Sequence, residues 1–466
     1  MDRLGTIESI DQARRSLAQR IARVTEPTLA GQSGSCVRGV LRIQVKMART
    51  DALSWLDAQK AQVKVYWADR NKQFEMAGIG QAETVGIDQP FSYRELFSRL
   101  NDGLAGADHE VRYYGGIRFS NHRLADPGWK VFGACRFILP RFELYNHNEE
   151  SALVCNLVYH RDRPLPLSEI LSELDDITFP PERGEWRIPA MLGRRDDPDE
   201  AGWRQNVESA IQLLDHGAVQ KIVLARKSYF EFNHDLNPLA ILQRLTLAMP
   251  ECFHFCYNPE PGVAFIGATP ERLYMRQGTL IQSEAIAGTR PRGATRKADE
   301  ELSQDLLHSD KELREHRFVV QGIKETLTPL CQRLAVGDEI SILRLAQCQH
   351  LASYLEGTLG NGVSDADILH HLQPTPAVGG YPTSAALEEI DRLEPFDRGW
   401  YAGPIGWVSH DTTEFAVAIR SGLVEGSKLY LYSGAGIVEG STADEEWNEI
   451  ENKIGDFIKV LTPIRH

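Results

Sequence analysis

The sequence predicts an α+β fold with large, mostly antiparallel β-sheets, and three observations carry that expectation. Strand-like runs follow one another directly instead of alternating with helices, which counts against a doubly wound parallel sheet. Several of these runs end in glycine-rich strings. Helical periodicity is confined to a few stretches at the start, middle and end of the chain.

In chain order, the first 25 residues read as helical, with Leu17, Ile21 and Val24 at helix spacing. From about 36 to 160 the text is strand-like, in VRGVLRIQVKM, AQVKVYWA, KVFGACRFILPRFELY and SALVCNLVYH. The polar stretch ITFPPERGEWRIPAMLGRRDDPDE then reads as a surface connection. Beyond it, residues 200–217 and 299–333 read as helices. KIVLARKSYFEF, GVAFIGATPERLYM, FAVAIRSGLV and KLYLYSGAGIV read as strands. A length of 466 residues corresponds to about three domains. No repeat or low-complexity segment marks such divisions. The expected organisation is an N-terminal part, 1–195, and a motif-bearing part, 196–466, in one compact structural unit.

The last helix can be read in detail. Ser441 with Asp444 resembles a capping box, with Asp where Glu or Gln is usual. Trp447, Ile450, Ile454, Phe457, Ile458 and Leu461 form an apolar stripe at helical spacing. Glu446, Glu449 and Lys453 fall together at one edge of it, where residues three or four apart are neighbours. A plain ion pair between Glu449 and Lys453 would account for that spacing.

Composition removes some function classes. Hydrophobic residues at 42% and charged residues at 25% are ordinary for a globular protein. A net charge of -14 counts against a nucleic-acid binder, which wants a basic face. It does not count against an anionic small molecule in a local basic pocket. No apolar run approaches the roughly 20 residues of a membrane span, and the N-terminal residues contain no apolar signal core. Seven scattered cysteines fit a reducing setting, cytoplasmic or organelle-stromal. Cys252, His254 and Cys256 alternate in ECFHFCYN and would share a strand face. No second ligand pair follows at zinc-site spacing, so a buried strand is expected there.

Nine segments are denser in polar and glycine residues than folding requires. They are KIVLAR (221–226), FIGATPERL (265–273), SEAIAGTRPRG (283–293), KELREHRFVV (311–320) and QHLASYLEGTL (349–359). LQPTPAVGGYP (372–382), FDRGWYAGPIGW (396–407), VAIRSG (417–422) and SGAGIVEGSTADEEWNEIENK (433–453) complete the series. No strand–GxGxxG–helix unit occurs, so a nucleotide site is not expected.

This ordered series resembles the chorismate-binding enzymes, a family that includes anthranilate, aminodeoxychorismate, salicylate and isochorismate synthases. The motif-bearing match runs over about 200–462. KIVLAR together with PTPAVGG resembles the isochorismate synthase branch. The YW, GGIRF and FILPRFEL strings are similar to the longer, menaquinone-type members.

The resemblance implies a sandwich of large sheets with flanking helices and a Mg²⁺-dependent reaction on chorismate. Water adds at C2 and the C4 hydroxyl leaves, giving isochorismate. That chemistry needs a base for water, an acid for the leaving hydroxyl and cationic partners for two carboxylates. Lys221 matches the base, which must be a neutral amine, and Glu271 matches the acid, which must be protonated before it donates. Glu315 and Glu449 match the magnesium ligands, as hard oxygen donors should. Arg420 matches a carboxylate-binding arginine, whose fork suits a planar carboxylate. Lys453, Tyr401, His350, Thr289 and Ala377 match substrate-contact positions. So do Gly288 and Gly434, where bare backbone N–H groups can approach an anion.

Blander readings stand beside these. Lys221 could be a strand-end lysine in water, Glu271 could pair with Arg272, and the helical glutamates could face solvent. Within the family, a lysine at 221 counts against anthranilate synthase, and no glutaminase-like Cys-His segment occurs. Ala377 stands where salicylate synthases have threonine. Gln373 replaces a histidine common before PTPA. A chorismate-binding protein without catalysis is the other alternative, and the joint presence of Lys221, Glu271, Glu315 and Glu449 counts against it. The expectation is a monomeric, cytoplasmic enzyme of menaquinone or phylloquinone synthesis that needs no glutaminase subunit, with salicylate synthase or a siderophore-pathway isochorismate synthase as the alternative.

Overall fold

The computed structural model describes residues 9–24 and 38–462, apart from 89, 121, 122, 124, 161, 162, 180–185 and 338. Two antiparallel sheets of 12 and 10 strands dominate it. Aromatic side chains from both sheets meet in one core, for example Phe74 of the larger with Trp407 of the smaller, ring centres 6.1 Å apart. A second core lies between the larger sheet and the helices Ile10–Ala22, Ala52–Ala58, Leu167–Asp175 and Pro238–Ala248. The arrangement is the expected sandwich with flanking helices.

Both sheets draw strands from both halves of the chain. Lys64–Ala68 pairs with Phe253–Glu260 in the larger sheet. Tyr113–Ile117 pairs with Pro404–Val408 in the smaller. The sheets therefore run straight across the expected division at 195.

Several local expectations need correction. The first helix ends at Ala22, so Val24 lies beyond it, while Leu17 and Ile21 are buried as its stripe requires. Part of the polar connection is a strand, Met191–Asp197, paired with Lys221–Phe232. The helix expected over 299–333 is two helices, Arg296–His308 and Asp310–Leu327, broken at Ser309, and the chain is strand again from Cys331. Cys256 and His254 are buried in an ordinary strand, as expected.

The last helix, Ala443–Leu461, starts one residue later than its sequence suggests. Thr442 is the cap, accepting from the Glu445 N–H at 3.4 Å. Ser441 instead accepts from the Val438 N–H, and Asp444 reaches Arg204 at 2.5 Å. Thr442 and Glu445 carry the same cap chemistry one position on, so the pattern alone did not set the register. Ile450, Ile454, Phe457 and Leu461 are buried, and Arg226 stacks over Trp447 at 4.3 Å.

Candidate active site

Two stretches that read as single strands each change sheet midway, and the site forms where they do. Val263–Thr269 belongs to the larger sheet and Arg272–Gln277 to the smaller. Between them Pro270 has no N–H to give a ladder, and Glu271 occupies the step. Thr412–Val417 and Ser421–Glu425 make the reverse change, with Arg420 at the second step. Arg420 has φ 48°, in the left-handed region where non-glycine residues are uncommon. The two steps are tied together. The Val417 N–H donates to the Glu271 carbonyl at 3.0 Å, and the Ala268 N–H to the Arg420 carbonyl at 3.1 Å. A third loop joins them: the Ala402 N–H donates to the Ala418 carbonyl at 3.0 Å, placing Tyr401 beside the steps.

These loops enclose a small cavity of about 90 Å³. Glu271, Gly288, Thr289, Glu315, His350, Ala377, Tyr401, Arg420, Gly434, Glu449 and Lys453 all line it. Of the expected site residues, only Lys221 does not. Lys221 begins the strand Lys221–Phe232, is fully buried, and has its Nζ 3.0 Å from Glu315 Oε1 without hydrogen-bond geometry. It reaches the cavity through Glu315 and Gly436, which do line it. A Cβ at Gly436 would stand 2.2 Å from Glu315 Oε1 and 2.9 Å from Lys221 Cε, so only glycine leaves room for this pair.

Glu271 is only 2% exposed, and its Oε1 has no hydrogen-bond partner. Burial pushes its carboxyl up to about 8, because the nearby Lys221 only partly offsets the loss of water and Glu284 adds repulsion. The bland pairing with Arg272 does not occur. Arg272 turns to Glu414 at 3.0 Å and Glu284 at 3.3 Å.

The opposite wall is charged. Glu315 comes from the helix Asp310–Leu327 and Glu449 from Ala443–Leu461. Burial alone would raise the Glu449 carboxyl, but Lys453 at 2.7 Å holds it below the ordinary value. Lys453 in turn is held well above its ordinary value against burial, chiefly by Glu449. The ion pair and the substrate-facing position therefore coexist, and Lys453 also donates to the Gly434 carbonyl at 3.0 Å. Glu446, next along the helix edge, is pushed up to about 7 by burial and by Glu449, against the pull of Lys311 at 2.7 Å. Glu312 is raised by burial and by Glu315.

Crowded carboxylates of this kind are hard oxygen donors, though each stands beside a cation: Glu315 by Lys221, Glu449 by Lys453, Glu446 by Lys311 and Glu312 by Arg290. Among the described residues no three His, Cys, Asp or Glu side chains converge into a ready-made metal site. Glu315 and Glu449 would supply two oxygen donors, leaving positions for water and an anionic ligand. That donor set fits Mg²⁺, which keeps waters and rarely occupies an all-protein cage.

Elsewhere on the wall, Gly288 has φ 75° at a bulge in the strand Leu280–Pro291. There the register shifts so that Thr289 faces His350. His350 Nδ1 lies 3.1 Å from the Gly288 carbonyl and 3.1 Å from Thr289 Oγ1. Tyr401 stacks on Tyr432 at 5.2 Å, and burial pushes its hydroxyl up to about 12, so it stays a donor.

Residues 30–462 match the family described as Chorismate binding enzyme. The chain belongs to the chorismate-binding enzymes. It is 33% identical to isochorismate synthase 2, chloroplastic, of Arabidopsis thaliana, over 91% of this chain and 81% of that protein. It is 33% identical to isochorismate synthase MenF of Escherichia coli, over 88% of this chain and 90% of that one. The solved structure of MenF, the menaquinone-specific isochorismate synthase from Escherichia coli, superposes with a TM-score of 0.84 at 28% identity, covering 98% of this chain and 100% of that one.

One residue that holds this family member's site together escaped the sequence reading. Arg398 is buried and donates to the Val223 and Val378 carbonyls, each at 2.8 Å. Glu394, bonded to Arg398, accepts from the Ala225 N–H at 2.7 Å. This pair ties KIVLAR to PTPAVGG, whose bonded residues Val223 and Val378 are 155 positions apart and which resemble the same branch of the family. The signal was a charged pair, Asp397 and Arg398, inside the otherwise apolar string FDRGWYAGPIGW.

Proposed function

We propose that this chorismate-binding enzyme is an isochorismate synthase. The observation that carries the reading is Glu271, a buried carboxyl without a partner, pushed up to about 8 and facing a cavity whose other wall is cationic and acidic. A carboxyl that keeps its proton at neutral pH is a proton donor. Arg420 and Lys453 supply positive charge for the two carboxylates of chorismate, and Tyr401 a hydroxyl donor. Thr289 and the bare backbone at Gly288 and Gly434 narrow the space around the ring, and Ala377 leaves it without a hydroxyl. Lys221, at the family's base position, takes a proton from the water that bonds to C2. Glu271 gives its proton to the C4 hydroxyl, which leaves as water. The ring double bonds shift between these two events, so one water enters and one departs.

Mg²⁺, held by Glu315 and Glu449, would neutralise these carboxylates and fix the ring carboxylate of the substrate. Similarity to MenF supports a role in menaquinone synthesis, and Lys221 at the base position supports water over ammonia as nucleophile. The six described cysteines are free thiols, which suits a cytoplasmic setting. No helix among the described residues is long and apolar enough to cross a membrane. The enzyme acts as a monomer, without a glutaminase subunit.

The test is to incubate the purified protein with chorismate and Mg²⁺, without ammonia, and identify the product by chromatography. Isochorismate is expected. Anthranilate on adding ammonium, or salicylate with pyruvate, would overturn the reading, and no turnover would favour a binding protein.

A further inference from the structure

Cys348 has surroundings unlike those of the other described cysteines. It begins the strand Cys348–Leu359, two residues before His350, so both side chains emerge on one face. Its Sγ lies 3.2 Å from His350 Nε2 and accepts from Arg420 Nη2 at 2.9 Å. Burial would raise this thiol, but the imidazole and guanidinium together bring it down to about 6. Burial pushes Cys135, Cys155, Cys252 and Cys256 up to about 12, and raises Cys331 as well. Thiolates beside a histidine and an arginine are the reactive form of cysteine.

Cys348 is also reachable. An outer cavity of about 610 Å³ has Cys348 in its wall and shares Thr289, Arg420, Glu449 and Lys453 with the site. Cys348 itself is not in the wall of the inner cavity.

We propose that Cys348 is an oxidant-sensitive modification site, open to small peroxides through the outer cavity, whose oxidation draws Arg420 away from the substrate carboxylate. The thiolate sulfur attacks one oxygen of hydrogen peroxide. An S–O bond forms, the O–O bond breaks, and the leaving hydroxide takes up the proton that the thiol had given up, departing as water. Sulfur loses two electrons and the peroxide is reduced to water. The sulfenic acid oxygen then competes for the Arg420 guanidinium, for which oxygen is a better hydrogen-bond acceptor than sulfur. The effect on substrate rests on the isochorismate synthase reading, but the modification does not.

The test uses the full chain. Iodoacetamide at pH 6 should alkylate Cys348 about twentyfold faster in the folded protein than in urea. The roughly 500-fold gain in thiolate outweighs the roughly 20-fold loss of nucleophilicity that accompanies a lower pKa. Peroxide followed by dimedone should tag Cys348, by peptide mass spectrometry. In parallel, peroxide should raise KM for chorismate about tenfold, reversibly with a thiol reductant, while Cys348→Ser keeps its own KM under the same treatment. Equal or slower alkylation in the folded chain, or equal peroxide inhibition of Cys348→Ser, would overturn the proposal. The labelling arms need no chorismate, so a chain without synthase activity would fail the kinetic arm alone.

Discussion

Glu271 and Glu449 line one cavity, yet burial pushes the first up to about 8 while the second is held below the ordinary carboxylate range. Glu271 has lost nearly all its water, and Glu449, with 27% of its side chain exposed, has lost less. What separates them is a partner: Glu449 has Lys453 at 2.7 Å, and Glu271 Oε1 has none. The comparison shows how one small space can hold a neutral proton donor and a charged wall together. At the sheet-changing step Glu271 feels Lys221 and Lys453 only as nearby charges, without a hydrogen bond to either. A carboxylate on a helix edge has a lysine one turn away by helical geometry.

The largest effect should come from removing the proton-transfer groups. Glu271→Gln and Lys221→Ala should each lower kcat by about 10²–10⁴-fold, the usual contribution of such a group, while calorimetry still detects chorismate binding. Retained turnover in either variant breaks the contrast at its catalytic end.

Next is the cost of keeping Glu271 neutral. Its folded value of about 8 lies above the ordinary 4.5, so between those values the unfolded chain is ionised and the folded chain is not. The stability from this group is therefore complete below about pH 4.5 and is lost as pH rises through about 8. At pH 7 the loss is about 3 kcal/mol, at 1.36 kcal/mol per pH unit. Urea unfolding at pH 7 should show Glu271→Gln to be more stable than wild type by up to that amount, with a flatter pH profile. A variant no more stable at pH 7 than at pH 5, relative to wild type, would mean that Glu271 is ionised in the folded state.

A proton donor at about 8 also makes the rate of isochorismate formation fall about tenfold per pH unit above that value, in a steady-state pH profile. On the charged side, Glu449→Gln should raise the Mg²⁺ concentration for half-maximal activity about tenfold, within the range seen when metal-site groups are altered. Unchanged magnesium dependence would remove Glu449 from the metal site. The smallest effect concerns the helix that carries Glu449. Thr442→Ala should cost about 1 kcal/mol of stability, as loss of a helix cap does, whereas Asp444→Ala should cost less, because Asp444 only meets the half-exposed Arg204.

Much of the site was legible because its chemistry is local. Glu449 and Lys453 share a helix edge by spacing alone, and KIVLAR, ATPER and IAGT keep their residue types together in short strings. The same strings misled where an apolar run continued through a change of sheet. Pro270 marks a break in GVAFIGATPERLYM and FAVAIRSGLV carries only Arg420 and Ser421 at its step, but nothing in either run reveals that its two halves pair with different neighbours. Ser441 and Thr442 offered two equivalent caps in adjacent places, and the tertiary bond from the Val438 N–H took one of them.

Residue type and order thus set the α+β class, the antiparallel pairing and the acidic helix edges, and the family resemblance added Glu271, Arg420 and the other expected groups of the cavity wall. Side-chain chemistry and short-range periodicity are properties of neighbouring residues, so they survive in a one-dimensional text. The protonation of Glu271, the position of Lys221 behind Glu315, the Arg398 bridge and the thiolate of Cys348 were decided by the folded structure. Each depends on how much water is excluded and which distant group arrives within about 3–4 Å, where charges interact strongly.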